Sequence, residues 1–144
     1  MGQRYEQAGG LGLLYTEQQR LRRDASVWTL VQGILAPLQF AVFLVSAVLV
    51  WRYLATDAGA VAATVSVITK TMLLYAIMIT GALWERDVFG QYLFAPAFFW
   101  EDVVSMLVLA LHTAYLAAVV FGFLDIRQQM YLALVAYFTY VINA

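Results

Sequence analysis

The sequence contains no cysteine, one histidine and only two prolines among 144 residues. The missing cysteines exclude disulfides, thiolate metal sites and cysteine nucleophiles together. A lone histidine argues against a bis-histidine haem and against a multi-histidine metal site. Charge is scarce as well: 12% of residues are charged and the formal net charge is −1. Soluble domains carry about 25% charged residues. Without a basic excess, a nucleic-acid partner has no electrostatic basis. No Gly-rich phosphate loop, HExxH or GxSxG is present.

What the chain does have is apolar surface. Hydrophobic residues make up 64% and the mean hydropathy is +0.79. Val27–Trp51 runs 25 residues without a formal charge, and Ala58–Trp84 runs 27 with one, Lys70. Val103–Leu124 gives 22 uncharged residues and Gln128–Ala144 a further 17. A spanning helix needs about 20 mostly apolar residues. These runs predict an all-α, polytopic membrane helical bundle with about four transmembrane helices, over about 27–54, 58–84, 103–124 and 128–144. The first run is too long and too late for a signal peptide. Met1-Gly2 opens like a myristoylation site, but Glu6 stands where Ser or Thr is required. Trp28, Trp51, Trp84 and Trp100 fall at the ends of the runs, where indoles collect at the membrane interface.

Arg4, Arg20, Arg22, Arg23 and Arg86 share one side if the N-terminus is cytoplasmic, against Arg52 and Arg127 on the other. The positive-inside rule therefore predicts a cytoplasmic N-terminus. Residues 1–26 read as a flexible or interfacial segment, glycine-rich over 1–15, with a capping box at Thr16-Glu17-Gln18-Gln19 starting a short helix. Its arginines would meet anionic headgroups. The inner connection, residues 85–102, reads ERDVFGQYLFAPAFFWED. It is too long for a simple hairpin and too aromatic for a solvated loop, so it is expected to lie in the interface or dip back in.

Polar groups within membrane spans are costly and mark function. Lys70 sits mid-helix as a cation for a substrate carboxylate, or else snorkels or pairs structurally. His112 is a candidate axial ligand to a pigment magnesium or a proton-transfer group, or else a hydrogen-bonded packing residue. Glu101, Ser105, His112 and Tyr115 share one helix face, and Gln32, Gln39 and Ser46 form a heptad stripe. Interhelical hydrogen bonding accounts for both stripes equally well. Glu85, Glu101 and Asp102 fall at one inner level. A helix cap explains one of these carboxylates well and three poorly. Clustered carboxylates oppose one another's ionisation, which leaves one protonated near neutrality and able to act as a general acid.

Three segments carry a resemblance: YTEQQRLRRDASVWTLVQGILAPLQF from Tyr15, IMITGALWERDVFGQYLFAPAFFWEDVVSMLVLALHTAY from Ile77, and YVINA from Tyr140. They resemble the 3-vinyl bacteriochlorophyllide hydratase family of photosynthetic bacteria, with LFAPAFFWED followed by ALHTAY the most specific part. Family members run on past the final Asn-Ala into a basic tail that this sequence does not include. The resemblance implies an enzyme of the bacterial inner membrane, cytoplasmic or intracytoplasmic, that adds water to the vinyl group of a chlorin and needs no redox cofactor. Its partners would be the chlorin pigment and the lipid bilayer, with self-association or association with photosynthetic complexes left open. Such chemistry needs an acid, a water-positioning base and a flat aromatic slot. Glu85, Glu101 and Asp102 are the candidate acids and base, with His112 secondary. Phe94, Phe98, Phe99 and Trp100 are candidate walls, and Lys70, Gln32 and Tyr115 are further substrate contacts. The rival reading is a non-catalytic pigment-binding or assembly subunit in which His112 ligates the pigment directly.

Overall fold

The computed structural model describes residues 16–143. The glycine-rich start over residues 1–15, expected to be flexible, lies outside them. Helix α1 (Glu17–Ala25) opens on the capping box: the Thr16 hydroxyl accepts from the Gln19 amide at 3.0 Å, and the Gln19 side-chain oxygen accepts from the Thr16 amide at 2.9 Å. None of the α1 residues is buried. Ser26 then turns the chain into α2 (Val27–Thr56). Its hydroxyl accepts from the Trp28 amide and donates to Asp87 at 2.8 Å, 61 residues away.

Helix α2 has 30 residues and contains Pro37. At 1.5 Å per residue it reaches about 45 Å, more than the roughly 30 Å of a hydrocarbon core. The turn to α3 (Ala60–Phe89) is tight because Asp57 and Gly59 adopt left-handed backbone, at φ 59° and 83°. Gly90 ends α3 in the same way. A 3₁₀ turn (Pro96–Phe98) leads into α4 (Phe99–Phe121), and α5 (Ile126–Asn143) closes the described chain. Three helical segments, α2, α3 and Pro96–Phe121, are long and apolar enough to cross a membrane. With 18 residues, α5 is the shortest of the four long helices. Leu30, Val48, Val61, Ile79 and Val120 all face outward. Helices this apolar all round fit lipid and not water.

The polar residues are drawn inward instead. Lys70, His112, Ser46, Thr71, Gln39 and Gln129 are buried. The packed core sits in the half of the bundle nearest the α2–α3 turn: Phe43 and Val50 on α2, Ala63 and Val67 on α3, Tyr115 on α4, and Met130, Ala133 and Tyr137 on α5. The Ser46 hydroxyl lies between Ser66 at 2.8 Å and the Tyr137 hydroxyl at 2.6 Å. Arg127 locks this end by donating to Asp57 at 3.0 Å and to the Leu54 carbonyl at 2.6 Å. The hairpins α2–α3 and α4–α5 meet chiefly through α5 against α2, and α3 touches α4 more lightly. The bundle therefore opens at its other end.

The acidic segment is more helical than its sequence suggests. Helix α3 runs on through Glu85 to Phe89, and α4 starts at Phe99, leaving residues 90–98 as the connection. Arg86 and Asp87 pair with each other at 3.3 Å while Glu85 and Val88 turn inward, so the charges do not end the helix. Glu101 and Asp102 occupy the first turn of α4, where the helix dipole favours negative charge.

Candidate functional site

Between the two hairpins lies a cavity of about 440 Å³. Its α2 wall is Gln32, Ala36, Gln39 and Phe40, spaced to share one helix face. Its α3 wall runs from Leu74 to Glu85, a rise of about 16 Å over three turns. Three cross-links set the register of these walls. Asp87 accepts from Ser26, Trp84 Nε1 donates to Thr29 at 2.9 Å, and Gln32 Nε2 donates to the Thr80 hydroxyl. Continuing that antiparallel register puts Gln39 level with Leu74, at the opposite end from Glu85.

The acidic end contains all three expected carboxylates: Glu85, Glu101 and Asp102 line the cavity. Glu85 comes from α3 and is 5% exposed. Its carboxyl group is within hydrogen-bonding reach of that of Asp102, with Glu101 close by. The other side of the pair is tied to backbone. The Ala95 amide donates to Glu85 Oε2 at 3.3 Å and the Phe94 amide donates to Asp102 Oδ2 at 2.9 Å. Phe94 is held at φ 61°, a conformation that bulky side chains rarely adopt. Glu101 is exposed and forms the outer edge.

Of the expected aromatic walls, Phe98 lines the cavity and packs with Trp84 and Phe89 in a triangle of ring centroids 5.7 Å apart. Phe94, Phe99 and Trp100 form a second, exposed cluster on the outer side. Gln32 lines the cavity and Tyr115 belongs to the core.

Lys70 and His112 do not line it. They meet each other inside the bundle, with Lys70 Nζ 3.3 Å from His112 Nε2. His112 Nδ1 is 2.8 Å from the Val108 carbonyl. A carbonyl only accepts, so Nδ1 carries the hydrogen and Nε2 accepts from Lys70. Both ring nitrogens are thus engaged by protein, which leaves no lone pair facing a pigment. Lys70 Nζ also lies 3.7 Å above the Tyr140 ring, and Tyr140 is the wall between this pair and the cavity.

Sequence reasoning named Trp84 only as an interfacial residue and Tyr140 and Asn143 only within the YVINA segment; all three line the cavity. Asn143 donates to Ser105 at 2.7 Å across the α4–α5 seam. The stripe containing Gln39 was the available signal for the deep end. For Asn143 the signal was its place in the YVINA segment.

A buried glutamate with two further carboxylates beside it and an aromatic wall suits addition of water to a flat apolar substrate. Comparison with known proteins points to the same chemistry. Residues 15–144 match the 2-vinyl bacteriochlorophyllide hydratase family. A protein of that name from Rhodobacter capsulatus is 66% identical over 131 residues, covering 91% of this chain and 76% of the relative. Its namesake from Cereibacter sphaeroides is 67% identical over 131 residues, covering 91% of this chain and 81% of the relative. No solved structure matches. The 2-vinyl and 3-vinyl names differ only in wording. By match length and identity, the chain belongs to the 2-vinyl bacteriochlorophyllide hydratase family.

Proposed function

We propose that this chain adds water across the vinyl group of a bacteriochlorophyllide, giving a 1-hydroxyethyl group in bacteriochlorophyll biosynthesis, and that it does so at the acidic end of the cavity. The observation that carries the placement is the buried Glu85 carboxyl group lining that space together with Asp102 and Glu101.

A proton carried by the buried Glu85 carboxyl group passes to the terminal vinyl carbon. The π electrons of the C=C bond form the new C–H bond, and the inner carbon becomes a cation delocalised into the macrocycle. The carboxylate left behind stabilises that developing charge, an effect strengthened where bulk water is excluded. Water then adds to the inner carbon, forming the C–O bond. Its surplus proton goes to a neighbouring carboxylate, for which Glu101 at the wetter edge is placed, and returns to the pair. One water is added in total and no electron is gained or lost, so the reaction is that of a hydro-lyase with no oxidant or reductant. Of the candidate acids, burial favours Glu85. Phe98 and Trp84 supply the flat wall, and Gln32 braces α2 against α3 behind it. Lys70 and His112 hold the deep wall from behind, through Tyr140.

The arginine distribution favours an N-terminus in the cytoplasm, which puts the acidic end on the cytoplasmic face of the bacterial inner or intracytoplasmic membrane. Water and newly made pigment then reach the same opening.

The test of the reaction is isotopic. Purified protein incubated with vinyl chlorin in ¹⁸O-labelled water is expected to yield a hydroxyethyl pigment carrying the label. Bound vinyl pigment that remains unconverted would contradict the assignment.

A further inference from the structure

Gln39 stands at the far end of the cavity from the carboxylates. It lines that space, is 4% exposed, and its Oε1 is enclosed with no hydrogen-bond partner. Phe40, Leu74, Val108 and Tyr140 line the same cavity. Leaving a buried amide oxygen unpaired is costly. Gln39 itself lines the cavity, so rotation about its terminal torsion presents this oxygen to a ligand there, which can supply the missing donor.

The orientation of the substrate decides which donor arrives. This step rests on the reading just proposed, in which the vinyl group meets the acidic end. Three protein carboxyls already crowd that end, and a fourth from the substrate is disfavoured there. The substrate's own carboxyl group is therefore directed deeper. A chlorophyllide's keto and ester carbonyls can only accept hydrogen bonds, whereas its free carboxyl group in the neutral form carries an O–H. A carboxamide complements that group on both sides, since its oxygen accepts the O–H and its NH₂ donates to the C=O. The apolar surroundings favour the neutral acid over the ion.

We infer that Gln39 binds the substrate's carboxyl group through this paired hydrogen bond and so selects free-acid chlorins over their esters. A methyl ester has no O–H and leaves Gln39 Oε1 unpaired.

The probes are vinyl bacteriochlorophyllide and its methyl ester, with turnover measured on wild type, Gln39→Leu and Gln39→Met in detergent. Wild type is expected to show a KM about tenfold lower for the acid than for the ester. Both variants should raise the acid's KM to about the ester's, leave kcat nearly unchanged, and keep or raise the thermal stability of the empty protein. An acid-to-ester KM ratio unaltered in the variants overturns the inference. So does a failure of both variants to fold, which makes Gln39 structural. Glu85→Gln in the same assay separates this from the placement of the reaction. If it turns over normally, the acidic-end reading fails, whatever the KM ratio shows.

Discussion

Glu85 and Asp102, on different helices and 17 positions apart in sequence, are held by consecutive backbone amides: Ala95 N–H reaches Glu85 at 3.3 Å and Phe94 N–H reaches Asp102 at 2.9 Å. The connection between α3 and α4 is therefore a clip that sets the spacing of the acids. Its geometry depends on Phe94 lying at φ 61°.

That dependence can be tested at Phe94 itself. Glycine adopts this backbone freely, and a β-branched residue resists it. Phe94→Gly is expected to hold thermal stability in detergent within about 1 kcal/mol of wild type, whereas Phe94→Val should lose about 1–3 kcal/mol. Equal stability of the two variants would show that the left-handed backbone is not what holds the clip.

Lys70 and His112 should behave as one unit. Lys70→Met leaves His112 Nε2 buried without a donor, and His112→Leu removes the acceptor from Lys70. Each is expected to cost about 1–3 kcal/mol. The double variant should cost less than the two added together, because the second change has no partner left to orphan. Unfolding in detergent measures this cycle. Strict additivity would mean that the 3.3 Å contact contributes nothing.

Orientation is open to labelling. Asp57 lies in the α2–α3 turn and Gln91 beyond the end of α3, and both are exposed. Single cysteines at these positions are expected to react with an impermeant thiol reagent from opposite sides of the membrane, Gln91→Cys from the cytoplasmic side. Reaction of both from one side would contradict a membrane-spanning α3.

Much of the fold was legible because lipid imposes a simple demand, a long run of uncharged residues. The runs beginning at Val27 and Ala58 mark α2 and α3 directly. Ends were harder to place. The first charge after Trp84 looks like the helix's exit from the membrane, yet α3 continues to Phe89 because Glu85 turns inward while Arg86 and Asp87 pair outside. Composition alone does not reveal which way a carboxylate faces. The common level of Glu85, Glu101 and Asp102 could be read from their positions at adjoining helix ends. The meeting of Lys70 with His112 could not, since it depends on the register between α3 and α4. Phe94, Phe98, Phe99 and Trp100 read as one aromatic group, but the 3₁₀ turn at Pro96–Phe98 separates Phe98 from the rest.

The central claim is that proton transfer begins at the Glu85–Asp102 pair, and turnover by Glu85→Gln measures it most directly. The amide keeps the shape of the side chain but removes its transferable proton, and general acid catalysis is worth about 10²–10⁴-fold. Glu85→Gln is expected to lose turnover on that scale while still binding the vinyl pigment, and His112→Ala, if folded, to lose less. Near wild-type turnover by Glu85→Gln, with activity abolished in a well-folded His112→Ala, would contradict the account and move the chemistry to the centre of the membrane.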